Sequence, residues 1–172
     1  MKRLLLTAGL LSFFFVAVSQ PRILTRHEIT VGGGLSYRHG IVEEFMAPGI
    51  NVEGYYHFVD EFRAGLDITY YLVDFGFSSP AFEINVNTGT LLFEEDLWLI
   101  YGLAGFQFIW IDYDWGEPFG NEKHYGVGFS LGGSVEYDLN YIRIFAEPKM
   151  TLYNLDSFRS TPSISIGVRY TL

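Results

Sequence analysis

Residues 163–172 read Ser163-Ile164-Ser165-Ile166-Gly167-Val168-Arg169-Tyr170-Thr171-Leu172, and this stretch decides the fold of the chain. Apolar side chains occupy every second position, and small or polar residues lie between them, which is the period of a β-strand and not of a helix. One face of the strand is therefore apolar to its end. Because an exposed apolar strand invites aggregation in water, something must cover that face, and we expect it to be lipid.

The same alternation recurs in seven earlier segments, which we interpret as strands. They are residues 27–37, 50–58, 62–73, 82–93, 97–111, 125–137 and 142–153. Long and short connections alternate between them, and the long ones are residues 38–49, 74–81, 112–124 and 154–161. In a closed antiparallel barrel this order places the long loops on one rim and the tight turns on the other. The pattern predicts an all-β protein, an eight-stranded antiparallel up-and-down transmembrane β-barrel.

Two of these segments depart from simple alternation. Both faces of 97–111 are apolar, so a bulge could switch its register partway. In our interpretation Leu99, Tyr101 and Leu103 face outward. Gly102 and Ala104 face inward. In the seventh segment Pro148 has no backbone N–H, which predicts a local bulge or a missing ladder bond.

The polar faces of the predicted strands are rich in Gly, Ser, Thr and Asn, and their charges are of both signs. A face exposed to water would carry mainly long charged side chains, whereas a narrow interior needs small residues and lets charges pair. We therefore expect these faces to fill the lumen, and the competing architecture is a soluble, lipocalin-like ligand-binding barrel with its apolar faces inside. The predicted polar lumen network consists of Glu28, Glu53, Arg63, Asp67, Glu136, Arg143, Glu147, Lys149 and Arg169.

Aromatic residues collect near the predicted strand ends, as interfacial belts of a membrane barrel require. Near the short turns they are Phe58, Phe62, Tyr137, Tyr141 and Tyr170. Near the long loops they are Tyr37, Tyr70, Tyr125 and Tyr153.

The C-terminal pattern Ser165, Gly167, Tyr170 and Leu172 resembles the assembly signal of bacterial outer-membrane barrels, which most often end in Phe. With the glycine-rich segment 31–35 and the segment 145–149, the chain resembles the OmpA/OmpX-like, or porin family, group of small eight-stranded barrels of Gram-negative bacteria. The resemblance implies a location in the outer membrane, contact with lipid and lipopolysaccharide, and insertion by the barrel assembly machinery. It implies an architecture and not an activity.

The front of the chain has the pattern of a secretory signal. Lys2 and Arg3 precede an apolar run, residues 4–18, that is short of a membrane span. We predict a signal peptide at 1–19, a linker at 20–26 and the barrel domain at 27–172. The net charge of −9 argues against nucleic acid, and the absence of Cys excludes disulfides and thiolate metal sites.

The sequence contains no strong catalytic, cofactor or metal motif, so we expect a protein without enzymatic activity and without a cofactor. No His is followed two places later by Ser, the arrangement that a lipid A deacylase of this barrel type resembles. The runner-up is a lipid A-modifying enzyme, such as an acyltransferase built from His39, Asp74 and Ser78. The loop 112–124 contains acidic residues whose spacing matches no calcium-binding motif. They are Asp112, Asp114, Glu117 and Glu122. The same loop offers a candidate contact for an extracellular partner through Tyr113, Trp115 and Phe119.

Overall fold

The computed structural model describes residues 27–39, 46–59, 61–72, 81–114, 121–139, 141–155 and 157–172. The predicted signal peptide and linker lie outside these residues. Eight antiparallel strands follow one another around a closed barrel, and β1 pairs with β8 to complete it. They are β1 (Glu28–His39), β2 (Met46–Val59), β3 (Phe62–Tyr71), β4 (Ala81–Glu95), β5 (Trp98–Asp114), β6 (Asn121–Asp138), β7 (Ile142–Leu155) and β8 (Ser157–Thr171). The part of the chain that the structure describes contains no helix long and apolar enough to cross a membrane.

The two faces of the strands have the predicted orientation. Phe129 and Ile166 point away from the barrel and are 39% and 51% exposed, whereas Asp67 and Arg169 point inward and are 3% and 1% exposed. A barrel in water would show the opposite arrangement, with apolar residues in its interior. The soluble ligand-binding alternative is therefore wrong, and the predicted transmembrane barrel is confirmed.

Strand β5 corrects one prediction, because Leu99, Tyr101 and Leu103 face inward and are buried. The inward set that we predicted, Gly102 and Ala104, lies on the outer face. The reason is complementarity across the ladder with β6. Tyr101 and Leu103 lie opposite Ser134, which has a small side chain, and Gly132, which has none, and the larger residues fill the space that this leaves in the lumen. Burial of these bulky groups outweighs the general preference for a polar lumen.

The irregularities of the sheet lie close to the predicted positions. The bulge that we considered for β5 occurs in its partner β4, between Leu91 and Phe93. At Pro148 the β6–β7 ladder is interrupted while its register stays the same on both sides, so the missing ladder bond is confirmed. Pro148 itself is exposed on the outer face.

Three of the four predicted long loops, 38–49, 112–124 and 154–161, are too long, because the ladders continue through polar residues, whereas β3 ends at Tyr71, before the predicted loop 74–81. Strands β7 and β8 pair as far as Leu155 and Ser157, so the predicted loop 154–161 is largely strand. Strands β5 and β6 likewise pair as far as Asp114 and Asn121. A ladder depends on backbone hydrogen bonds and not on apolar alternation, which the sequence pattern had been used to detect.

The aromatic belts are present with one exception. Tyr37, Tyr70 and Tyr125 are exposed near one rim, and Tyr141 and Tyr170 are exposed near the other. Tyr153, which we predicted for the outer belt, is instead 1% exposed and faces the lumen. Tyr153 is an even number of positions from the inward-facing residues of β7. The alternation of inward and outward side chains therefore continues beyond the apolar part of the strand.

The closure of the barrel depends on two glycines with room for nothing larger. Gly34 and Gly167 lie opposite each other in the β1–β8 ladder. A Cβ on Gly167 would lie 2.8 Å from the Gly34 Cα and from the Phe145 Cζ, whereas a Cβ on Gly54 would have its nearest neighbour at 3.7 Å. We expect Gly167→Ala to lower the free energy of unfolding by about 1 to 3 kcal/mol because of overpacking.

The matched control is Gly54→Ala, which we expect to change that free energy by less than about 0.5 kcal/mol. Urea unfolding in detergent micelles, read by the heat-modifiable migration of the unboiled protein, measures both variants. Equal effects of the two substitutions would contradict the close approach of β1 and β8.

Candidate functional site

The predicted lumen residues converge on Arg169, a buried arginine of β8. Its Nε lies 2.5 Å from Glu53 Oε1, its Nη1 lies 2.5 Å from Glu136 Oε1, and its Nη2 donates to Glu147. Arg63 shares two of these partners, with Nη1 2.5 Å from Glu136 Oε1 and Nη2 3.6 Å from Glu147 Oε1. Two carboxylates thus bridge two arginines, and all of these side chains are buried.

Aromatic rings hold the two guanidinium groups in place. The Arg63 Cζ lies 4.2 Å from the ring centre of Tyr55 and 3.9 Å from that of Tyr101. The Arg169 Cζ lies 4.9 Å from Tyr55 and 4.0 Å from Phe145. Cations are attracted to aromatic faces, and the attraction grows where water is excluded. The rings therefore stabilise the arginines and fill the space that water would need.

A lysine extends this group toward β3 and β4. The Lys149 Nζ lies 2.9 Å from Asp67 Oδ2 and 3.1 Å from Glu147 Oε2. Asp67 also accepts hydrogen bonds from Asn85 and Asn87, at 3.2 and 2.7 Å. We call these charged residues the Arg169 cluster, and they are Glu53, Arg63, Asp67, Glu136, Glu147, Lys149 and Arg169.

The remaining two predicted residues meet at the short-turn rim. The Arg143 Nη2 lies 3.1 Å from Glu28 Oε2, and its Nε lies 3.0 Å from Asp138 Oδ2. Both carboxylates are partly exposed, so water can solvate them. The structure thus brings every one of the nine predicted residues into an ion pair.

A second buried group lies nearer the long-loop rim, and our sequence reasoning missed its charged members. The Arg38 Nη2 lies 2.9 Å from Glu83, and its guanidinium also donates to Gln107, Thr161 and Tyr71 at 3.2 to 3.5 Å. Arg38 falls in the predicted loop 38–49 and is instead part of β1. The sequence signal for an inward-facing Arg38 is its spacing, because it lies two positions after the inward-facing Ser36 of β1.

Tyr153 completes this group from β7. Its hydroxyl accepts a hydrogen bond from Arg38 and lies 2.9 Å from Glu83 Oε2 and 2.7 Å from Gln107 Oε1. We call the group the Arg38 cluster, and it consists of Arg38, Tyr71, Glu83, Gln107, Tyr153 and Thr161. It joins six of the eight strands across the lumen.

Removal of one hydroxyl tests the Arg38 cluster. We expect Tyr153→Phe to lower the free energy of unfolding by about 1 to 3 kcal/mol, because buried polar groups lose a partner that water cannot replace. Tyr37→Phe, on the exposed outer face of β1, is the matched control and should change it by less than about 0.5 kcal/mol. Guanidinium unfolding monitored by tryptophan fluorescence measures the difference, and a Tyr153→Phe protein as stable as the parent would contradict this geometry.

The other predicted site residues either make no contact with the lumen charges or lie outside the residues that the structure describes. In the C-terminal pattern the Ser165 Oγ lies 2.6 Å from the Ser36 Oγ, while Tyr170 and Leu172 are exposed on the outer face. Of the contact residues predicted for 112–124, Trp115, Phe119 and the side chain of Tyr113 lie outside the described residues.

The histidines do not form a catalytic group with described residues. His39 is exposed at the end of β1, and its proposed partners Asp74 and Ser78 lie outside the described residues. His57 faces the lumen with its ring edge-on to Tyr101 at 6.3 Å. Among the described residues neither of its ring nitrogens has a hydrogen-bond partner.

An apolar outer surface around a lumen filled with paired charges defines a small transmembrane β-barrel. Known structures support this class. Neisserial surface protein A (NspA) superposes with a TM-score of 0.67 at 12% identity, over 83% of this chain and 95% of that one. Ail, the attachment invasion locus protein of Yersinia pestis, gives 0.65 at 13% identity, over 86% of this chain and 100% of its own.

The N-terminal β-barrel domain of Pseudomonas aeruginosa OprF gives a TM-score of 0.64 at 11% identity, over 86% of this chain and 98% of that one. No protein-family model and no curated protein sequence matches this chain. At such low identities the superpositions establish the fold. This chain has the architecture of the small bacterial outer-membrane β-barrels, and the OmpA/OmpX-like resemblance is confirmed at that level.

Proposed function

We propose that this protein is an integral outer-membrane scaffold that has neither catalytic activity nor an open pore and that presents its long-loop rim to the cell exterior. One observation carries the proposal: two layers of buried, mutually paired side chains cross the lumen. The apolar outer face supports the membrane location, because only lipid makes that much exposed apolar surface favourable.

The connectivity of the two clusters explains why they obstruct the lumen. The ion pairs of the Arg169 cluster join β2, β3, β6, β7 and β8, and the Arg38 cluster joins β1, β3, β4, β5, β7 and β8. Both clusters therefore link opposite walls of the barrel. An ion that crossed the lumen would have to displace buried charges from their partners, which is costly at low dielectric.

Planar lipid bilayers provide the test. We expect the folded protein to give no large, steady single-channel steps, and we expect no acyl transfer or release when it is incubated with lipid A. Heat-modifiable migration on a denaturing gel shows that the sample is folded. Large steady steps, or turnover of lipid A that His39→Ala abolishes, would each overturn the proposal.

The segment 112–124 remains our candidate for contact with an extracellular partner. Residues 112–114 and 121–124 of this segment belong to β5 and β6, which are 17 and 18 residues long and extend far from the short-turn rim. Deletion of residues 113–120 should reduce attachment of protein-bearing vesicles to host-cell surfaces, and deletion of 74–80 is the matched control. Attachment that survives the first deletion unchanged would remove the support for this contact.

A further inference from the structure

Two asparagines of β4 carry buried carbonyl oxygens that no other side chain uses. The side-chain nitrogens of Asn85 and Asn87 both donate to Asp67 Oδ2, at 3.2 and 2.7 Å. An ionised carboxylate accepts hydrogen bonds and does not donate them, so this contact fixes the orientation of both amides. Their Oδ1 atoms therefore point away from Asp67, and neither has a hydrogen-bond partner among the described residues.

Gly105 of β5 leaves room in front of these two oxygens. It lies opposite Asn87 in the β4–β5 ladder and faces the lumen. A Cβ on Gly105 would lie 2.8 Å from the Asn85 Oδ1 and closer still to the Asn87 Oδ1. A carbon atom does not fit so close to an oxygen, whereas about 2.8 Å is the usual separation of two hydrogen-bonded oxygens. The space beside Gly105 therefore suits a hydrogen-bond donor and excludes a methyl group.

A buried donor lies next to the same space. Gln107 follows Gly105 by two positions on the lumen face of β5 and lies opposite Asn85. Its Oε1 faces the Arg38 guanidinium and the Tyr153 hydroxyl, and its Nε2 has no hydrogen-bond partner among the described residues. The two asparagines and Gln107 are all 0% exposed. Because buried polar groups are nearly always hydrogen-bonded to protein or to ordered water, these three amides need a common partner.

We propose that a water molecule binds in this space and joins the two clusters that fill the lumen. The water donates one hydrogen bond to each asparagine oxygen and accepts one from Gln107 Nε2. A neutral ligand fits better than a cation, because the Lys149 ammonium already pairs with Asp67 at 2.9 Å and the three amides are uncharged. The asparagines connect the water to the Arg169 cluster, and Gln107 connects it to the Arg38 cluster. The site requires the inward orientation of these residues and is independent of the scaffold role.

The experiment detects water protons held beside the three amides. The full mature chain is isotope-labelled and refolded into phospholipid nanodiscs, and cross peaks between water and its amide protons are recorded in laboratory-frame and rotating-frame NMR spectra. A bound water gives cross peaks of opposite sign in the two spectra, whereas chemical exchange gives the same sign in both. Gly105→Ala fills the space with a methyl group. Gly128→Ala is the control at another inward glycine, where the nearest neighbours of a Cβ would be carbon atoms of Tyr153 and Thr151.

We expect cross peaks of opposite sign from water to the side-chain amides of Asn85, Asn87 and Gln107 in the parent and in Gly128→Ala, and their loss in Gly105→Ala. Absence of these cross peaks from the parent would overturn the site even if a variant failed to fold, and so would their persistence in Gly105→Ala. The midpoint of urea unfolding should be the same in sodium, potassium and choline chloride. A midpoint that depends on the cation in the parent but not in Gly105→Ala would show that a metal ion binds here instead of water.

Discussion

Arg169→Met is expected to lower the free energy of unfolding by about 3 to 5 kcal/mol, the cost of breaking a buried network by removing one partner. The substitution removes the cation that pairs with buried Glu53, and it leaves Glu136 and Glu147 with only Arg63 and Lys149 as cationic partners. Methionine keeps the apolar stem of the side chain and lacks the guanidinium that lies against Tyr55 and Phe145, so the expected loss includes this packing as well as the charge. Urea unfolding in lipid vesicles, read by heat-modifiable migration, gives the value.

Arg143→Met is the matched control at the short-turn rim. Its two carboxylate partners are partly exposed and can turn to water when the arginine is removed. We expect a loss of about 1 kcal/mol or less, as for solvent-accessible ion pairs. If both arginine variants were destabilised equally, burial in the lumen would not determine the loss of stability. Our account of the Arg169 cluster would then be wrong.

Leu131→Arg is expected to lower the free energy of unfolding in a bilayer by about 2 to 4 kcal/mol, the cost of a cation near the midplane of a membrane barrel. Leu131 is exposed on the outer face of β6, midway between the belt residues Tyr125 and Tyr137. In water the same substitution at an exposed position would cost almost nothing. The variant therefore measures whether lipid surrounds the barrel.

Tyr170→Arg places the same charge on the outer face near the short-turn rim. There the guanidinium reaches the head groups, and the expected loss is about 0 to 1 kcal/mol. Refolding equilibria in phosphatidylcholine vesicles compare the two variants. A small and equal effect at both positions would show that the outer face meets water, and the transmembrane assignment would then fail.

Alternation was enough to predict the fold because the apolar face and the lumen face impose opposite demands on neighbouring residues. The orientation followed from the small residues of the polar faces, such as Ser130 and Gly132 on β6. A helix or a soluble barrel would not require that combination. The sequence alone was therefore enough to predict eight strands, their antiparallel order and the closure of the last strand on the first.

The details that failed depend on interactions that a single segment does not contain. The direction of Tyr101 depends on the space left by Ser134 on another strand, and no pattern within β5 records that. Arg38 was missed because the predicted first strand stops at Tyr37, where its apolar residues stop, although the inward series continues to Arg38. Glu83 lies on the polar face of a predicted strand, but its buried partner Arg38 was outside the predicted strands. The tight pairing of Arg38 with Tyr153, 115 positions apart in the chain, likewise arises only when the barrel has closed.

The strands that these ion pairs connect are mostly not neighbours in the barrel. Arg169 of β8 reaches Glu53 of β2 and Glu136 of β6, and Arg63 of β3 also reaches Glu136. A single hairpin entering hydrocarbon would carry its charges without their counterparts, at a cost of several kcal/mol each. Stepwise insertion of one hairpin after another is therefore unfavourable for this sequence. Biogenesis must bring distant strands together before the acyl chains surround them.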